Sequence, residues 1–311
     1  MRKLVSTDNI KKEGWLEARR KGIGGSDIGA ILGVNSFCSP LEVYLDKTGQ
    51  MPEDKEENIA AELGLELEPF LSKKFTGWIS KNEGLDIELK KMQFILQDDM
   101  VDYFLVNLDR WFEHPSRGNC LVELKTTTEF KRTLWREDNI PDQYYLQCQW
   151  QLMITGWKFC YIAFLIGNRT FDVKIIPRNE TVIENMRKIG TIFWEQNVLD
   201  NKPPAPIGLA SDTEALKLLY PEEFQGNEKL LTPAEEKEII ENIEIINEQK
   251  IVTKTAKSVG DTAQQKIKAI IGDNEYTQAG PNMILFKTII VPEKVVNQYT
   301  FRRLFINDLS K

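Results

Sequence analysis

Histidine is almost missing: His114 is alone in 311 residues, so no histidine-based metal site can be assembled within the chain and histidine acid–base chemistry has one candidate. Cys38, Cys120, Cys148 and Cys160 show no Cys-x-x-Cys spacing, so neither a zinc site nor a disulfide framework reads out, and four reduced, mostly buried thiols are expected. Long apolar runs are also lacking. Tyr161 to Ile166 is far shorter than the ~20 residues of a bilayer span, and MRKLVSTDNIKKEGW has no secretory apolar stretch. A cytoplasmic protein without a membrane partner is the expectation. There is no excess of positive charge either: 40 Lys and Arg against 47 Asp and Glu leave a net −7, which argues against holding nucleic acid through bulk charge. Internal repeats and low-complexity tracts are absent.

The content that is present supports a folded core, with 41% hydrophobic residues in a length that suits one large domain or a core with an appendage. The charges are segregated. Met1 to Lys21 holds seven basic residues against three acidic ones, and Glu53 to Glu68 holds seven carboxylates and one lysine. In RRKGIGGSDIGAILG, residues 19 to 33, Ser26 reads as an N-cap ahead of a short helix carrying Ile28, Ile31 and Leu32 and stopped by Gly33. Gly24 and Gly25 would let the backbone approach an anion, and Arg19 would add a forked, permanently charged donor. A plain capped helix after a loop has the same pattern, and a solvated turn accounts equally for Arg20 and Lys21.

Further on, VDYFLVNLDRWF, residues 101 to 112, reads as one apolar strand and CLVELKTT, residues 120 to 127, as a second. Glu113 to Asn119, with Pro115 and Gly118, reads as the hairpin loop, which would leave His114 exposed. On the second strand Glu123 and Lys125 share one face, while Val122 and Leu124 face a core. Two ions in an apolar strand are costly unless paired, and Asp109 stands in the same position on its neighbour. A salt bridge at a sheet edge would relieve the cost. So would a divalent cation, with Asp109 and Glu123 as hard oxygen ligands and Lys125 acting on water. Gln143, Gln147 and Gln151 recur every fourth residue and share one helical stripe, with Leu146, Trp150 and Met153 on another, and a polar stripe facing solvent explains two of the three glutamines equally well. Glu68 precedes Pro69, which suits a helix start or kink, and Glu62 and Glu66 lie close by.

An acid at the end of an apolar strand, a short hairpin and then Glu-x-Lys form the pattern of the PD-(D/E)xK nuclease superfold. WLEARRKGIGGSDIGAILG, GLELEP, LDRWFE, LVELKTT and YLQCQWQLMITG, in that order over roughly residues 10 to 200, resemble the YqaJ-like viral recombinase family, relatives of phage lambda exonuclease. The resemblance implies an α/β fold with a restriction-endonuclease-like core, a mixed central sheet flanked by helices. It also implies a metal-dependent exonuclease that degrades one strand of linear duplex DNA from its 5′ end, releases 5′-mononucleotides and leaves a 3′ tail for recombination. Carried over by motif, Asp109 and Glu123 match the metal-binding carboxylates, the Leu124 carbonyl a further ligand, Glu68 the third acid, Lys125 the catalytic lysine and Gln147 the glutamine of the following helix. Arg19 and Ser26 match the grip on the 5′-phosphate. Mg²⁺ is the implied cofactor, with Mn²⁺ substituting. Implied partners are double-stranded DNA ends, a single-strand annealing protein and further copies of the chain in a trimeric ring, in a bacterial host carrying a phage or prophage.

Past the two strands, Tyr161 to Gly167 and Phe171 to Pro177 read as a hairpin and Glu180 to Leu199 as a helix. NKPPAPIG, residues 201 to 208, reads as a stiff linker closing the core. The expected organisation is a nuclease core over 1–200, a linker over 201–232 and a helical and β-hairpin extension over 233–311. That extension opens with a Thr232–Glu235 capping box and carries Ile239, Ile243 and Ile246 at core spacing, on a helix that breaks near Gly260 or runs to Gly272. Strands are expected over Met283 to Val291 and Tyr299 to Ile306. Eleven acidic and eleven basic residues from Pro233 onward give the extension no bias toward DNA. Three other readings stay open: an iron–sulfur nuclease, against which the cysteine placement argues; a DNA-end-binding module without catalysis; and an interaction scaffold.

Overall fold

The computed structural model describes residues 1–8, 10–52, 59–222, 228–271, 273, 276–279 and 282–285. The chain falls into two units, Met1–Tyr220 and Pro221–Lys311. The first unit begins with β1 (Arg2–Ser6), α1 (Lys12–Arg20), α2 (Gly25–Ile31), α3 (Pro40–Lys47) and α4 (Ile59–Glu83). β2 (Phe94–Gln97), β3 (Leu105–Val106), β4 (Arg110–His114) and β5 (Gly118–Thr127) follow. A 3-10 segment (Glu129–Trp135) leads to α5 (Asp142–Thr155), β6 (Phe159–Ile166) and β7 (Thr170–Pro177). α6 (Glu180–Ile192), its π-helical continuation (Phe193–Leu199) and α7 (Ala210–Leu219) close the unit.

The central sheet has the order β4-β5-β6-β7, with β5 and β6 parallel and both outer pairs antiparallel. Parallel neighbours need a long crossover, and α5 supplies it. Alternation along β5 builds the two layers around the sheet. Cys120, Val122 and Leu124 pack with Leu71, Phe75 and Ile79, one stripe of α4, whereas Leu121 joins the core formed with α2, α3, α5 and α6. This is a mixed sheet flanked by helices, the α/β arrangement expected from the sequence, with Glu123 and Lys125 on the α5 side. α5 stops at Gly156, whose φ of 72° and N–H bond to the Leu152 carbonyl form a left-handed cap. The four cysteines are free thiols, three of them buried, as expected. Among the described residues no helix is long and apolar enough to cross a membrane.

Several sequence expectations change. Residues 101 to 112 are not one strand: β3 ends at Val106 in a separate three-stranded sheet with β1 and β2, and β4 starts at Arg110 in the central one. The apolar run records burial of Phe104, Val106 and Leu108 rather than one continuous ladder. At the start of β3, Ile23 pairs with the first sheet, donating to the Tyr103 carbonyl (2.7 Å) and accepting from Leu105 N–H (2.9 Å). That pairing brings the glycine-rich segment beside Asp109. Gly24, not Ser26, is the N-cap of α2, because the Asp27 carboxylate reaches back to Gly24 N–H at 2.8 Å. Pro69 lies inside α4, so Glu68 is mid-helix. His114 is buried, 8% exposed, because its Nε2 faces Glu83 at 2.9 Å and its Nδ1 accepts the N–H groups of Ser116 and Arg117.

The first unit also runs past residue 200. α7 packs against α3 with Ala215 buried, and Asp212 accepts the N–H groups of Ile207 and Leu209 at 2.8 and 3.0 Å, so residues 201–220 belong to this unit instead of linking it onward. In the second unit, α8 (Pro233–Ile271) begins with the expected capping box, Thr232 N–H to Glu235 at 2.9 Å and Glu235 N–H to Thr232 Oγ1 at 3.3 Å. It continues unbroken through Gly260. Ile239 is 44% exposed, so its spacing marks no core among the described residues. β8 (Tyr276–Ala279) and β9 (Asn282–Leu285) form an antiparallel hairpin. The remainder of the expected Met283–Val291 strand and all of Tyr299–Ile306 lie outside the described residues.

Candidate active site

Glu123 is 1% exposed, a carboxylate deep inside the protein. Such an ion survives burial only when its lone pairs are filled. Lys125 Nζ lies 2.6 Å from Oε1, Gln147 Nε2 donates to Oε1 at 2.6 Å, and Gln151 Nε2 donates to Oε2 at 2.5 Å. Strand periodicity presents Glu123 and Lys125 together, and helical periodicity presents Gln147 and Gln151 from α5. Burial alone would lower the Lys125 pKa, but the Glu123 and Asp109 carboxylates outweigh it and raise it. The ammonium also sits 5.3 Å from the centre of the Tyr144 ring. Gln151 is the partner that sequence reading left out; its place in the stripe with Gln147 was the available signal.

Asp109 lies in the gap between β3 and β4, and its Oδ2 accepts the Leu124 N–H at 2.9 Å. On an extended strand a residue's N–H and C=O leave by the same edge, so the Leu124 carbonyl shares that side with Asp109. Enclosure by the protein and then the Glu123 charge push the Asp109 pKa up to about 7, against the pull of Lys125 and the Leu124 N–H. Glu68 adds to the repulsion from α4, yet its Oε2 is taken by Arg110 at 3.1 Å. Arg110, 8% exposed, was not singled out in the sequence, and its Nη1 also donates to the Asp109 carbonyl at 2.6 Å. Among the described residues no three His, Cys, Asp or Glu side chains are gathered to hold an ion. The structure therefore brings Asp109, Glu123, Lys125, Leu124 and Gln147 together and turns Glu68 toward Arg110.

The glycine-rich segment forms the other side of the same hollow. A cavity of about 140 Å³ has Trp15, Arg19, Gly24, Gly25 and Ser26 in one wall and Asn107, Asp109, Gln147 and Gln151 in another. Arg19 Nη2 donates to Ser26 Oγ at 2.8 Å, with its guanidinium 4.7 Å from the Trp15 ring centre. Behind them Lys47, with 1% of its side chain exposed, lies 2.7 Å from Asp27, and Arg19 lies 3.8 Å from the same carboxylate. Burial raises the Asp27 pKa, but Lys47 and Arg19 more than reverse it and hold the group below the usual carboxylate range. Arg20 pairs with Asp46 and Lys21 with Glu17. A Cβ at Gly25 would come within 3.3 Å of Gln147, and one at Gly29 within 3.2 Å of Gln143. These two glycines thus set α2 close against α5.

Residues 14–158 match the family described as YqaJ-like viral recombinase domain. The uncharacterized protein YqaJ of Bacillus subtilis (strain 168) is 31% identical over 324 aligned positions, spanning 99% of this chain and 98% of that protein. An alkaline exonuclease from Laribacter hongkongensis superposes with a TM-score of 0.48 at 17% identity, covering 67% of this chain and 100% of that one. A phage-related exonuclease from Haemophilus somnus 129PT gives 0.39 at 14% identity, covering 58% and 96%.

Proposed function

Since the chain belongs to the YqaJ-like viral recombinase family, we propose that it is a metal-dependent exonuclease. It would hydrolyse one strand of linear duplex DNA from the 5′ end, release mononucleotides and leave 3′ single-stranded tails. One observation carries this reading: the cavity that holds Arg19 and Ser26 is the cavity that holds Asp109, with Gln147 and Gln151 reaching from it to Glu123. An anion-gripping pair and a buried acid cluster in one hollow suit a phosphodiester at a strand end.

Arg19 offers a forked cation already steered by Asp27 and Ser26, so a terminal phosphate meets donors that need little reorganisation. Lys125 stays an ammonium, because the surrounding carboxylates raise its pKa; it acts as a cation that steadies negative charge on water and phosphate and not as a base. Gln147 and Gln151 fix the Glu123 carboxylate against rotation. Asp109, Glu123 and the Leu124 carbonyl make up the hard-oxygen set that suits Mg²⁺ or Mn²⁺, and Glu68 joins it only on leaving Arg110. Mg²⁺ bound there would supply Lewis acidity that eases deprotonation of water and offsets charge on the phosphate. His114 has no part, since it lies in the Glu83 cluster. The same reading takes a single-strand annealing protein as partner and a ring of three chains as assembly.

The test compares linear duplexes bearing 5′-phosphate or 5′-hydroxyl ends, with Mg²⁺ or with EDTA. Hydrolysis in Mg²⁺ alone, faster on the phosphorylated end, is expected, and Arg19→Ala should erase that preference more than it slows cleavage. Intact DNA in Mg²⁺ and Mn²⁺ would leave a silent end-binding protein in its place.

A further inference from the structure

Charge changes sign along α4. From Ile59 to Glu68 its ions are Glu62, Glu66 and Glu68; from Pro69 onward they are Lys73, Lys74, Lys81 and Glu83. Glu83 is engaged by Arg117, His114 and Tyr161, but the three lysines are exposed and, among the described residues, in no ion pair. They border a groove of about 810 Å³ between α4 and β7, lined by Phe70, Trp78 and Phe171, with Asp172 as its one carboxylate. Phe70 is 45% exposed, and Lys74 Nζ lies 5.5 Å from its ring centre. Gly77 also lines the groove. A Cβ there would meet nothing within 4 Å, so packing does not require glycine at this helix-interior position, and a larger side chain would project into the groove.

The sheet register locates this groove. Asp172 stands opposite Phe164, and Phe164 opposite Lys125, so the β7 side of the groove is level with Lys125 two strands across, with backbones about 10 Å apart, while α4 packs on the face of the sheet away from Lys125. We infer that the α4–β7 groove binds a single-stranded stretch of DNA outside the hydrolytic cavity. Lysines follow phosphates, and exposed aromatic faces stack unpaired bases without regard to sequence. A duplex keeps its bases stacked on one another and would leave the exposed Phe70 face without a partner, Trp78 being already stacked on Phe75. An acidic peptide would answer the lysines but not the aromatic faces. The inference rests on the nuclease reading for why such a strand arises beside the sheet; binding itself does not depend on hydrolysis.

Binding of a fluorescent dT20 oligonucleotide to the full chain in EDTA tests it. Lys73→Ala/Lys74→Ala/Lys81→Ala should weaken binding about tenfold and reduce the slope of log K against log salt by about 2 units, from about 0.7 per phosphate contact. The triple Lys→Arg variant should bind within about twofold of the unaltered chain, since Arg also carries cation and stacking contacts. Gly77→Leu should raise the melting temperature while lowering affinity, opposite signs that a structural role for Gly77 would not produce. An oligonucleotide carrying 5-iodouracil should crosslink to the peptide spanning Phe70 to Lys81. Unchanged binding by the Ala triple variant, crosslinks confined to other peptides, or equal competition by polyglutamate would each overturn the inference. Groove binding without any Mg²⁺-dependent hydrolysis would refute the nuclease reading and spare the groove; hydrolysis without groove binding would do the reverse.

Discussion

Glu123 and Glu83 are two carboxylates of one domain, each held by three side-chain donors, and they differ in what surrounds them. Glu83 accepts from Arg117 and Tyr161 and faces His114, and although burial opposes it, these partners hold its pKa below the ordinary range. Its charges balance within a partly exposed joint between α4 and the β4–β5 hairpin. Around Glu123 the account does not balance. Lys125 answers one carboxylate, but Asp109 is pushed up to about 7, first by enclosure and then by Glu123, and a cavity opens at its side. A joint that only holds the fold settles its charges, while a site that acts on an incoming ion leaves some unsettled.

That contrast is open to direct attack. The largest effect belongs to Lys125→Ala, which should cut Mg²⁺-dependent hydrolysis by about 10²- to 10⁴-fold while DNA binding in EDTA changes little; normal digestion by this variant would remove the residue from the mechanism. Next comes Glu83→Ala. Leaving Arg117 and His114 without their anion should cost about 2 kcal/mol in urea unfolding, with hydrolysis per folded molecule unchanged. A loss of activity without loss of stability would reverse the roles assigned to the two clusters.

The smallest effect carries the sharpest sign. Asp109 has a folded pKa raised above its unfolded value, so its charged form opposes folding at high pH and the penalty fades as pH falls from about 7 toward the unfolded value. In metal-free buffer at pH 8, Asp109→Asn should therefore raise the melting temperature, and the gain should shrink toward pH 5. Glu83 runs the other way: its lowered pKa supplies stability above the unfolded value that is lost as pH falls through the folded one. Equal and parallel pH profiles for Glu83→Gln and Asp109→Asn would erase the distinction between the clusters.

Much of the candidate site was legible in one dimension. Glu-x-Lys on a strand and glutamines at helical spacing follow from local periodicity, and periodicity survives folding. Gln151 was visible in that stripe, but its turn toward Glu123 instead of solvent depends on how α5 crosses β5 and β6. The break in residues 101 to 112 was hidden because an apolar run looks the same whether it stays in one sheet or passes between two. His114 and Arg110 were misjudged or missed for a related reason: their partners, Glu83 and Glu68, come from α4, which packs on the hairpin from outside it.

Residue order alone determined the mixed α/β class, the alternation that puts Glu123 and Lys125 on one face and Val122 and Leu124 on the other, and the capped start of α8. Tertiary packing decided which carboxylates meet. Glu68 goes to Arg110, Asp109 reaches Leu124, and the pairing of Ile23 with Tyr103 and Leu105 carries Arg19 into the cavity of Asp109. Periodicity specifies the direction of a side chain from its own backbone, whereas the charge it meets is set by segments distant in the chain, and in a low-dielectric interior that meeting dominates the energy.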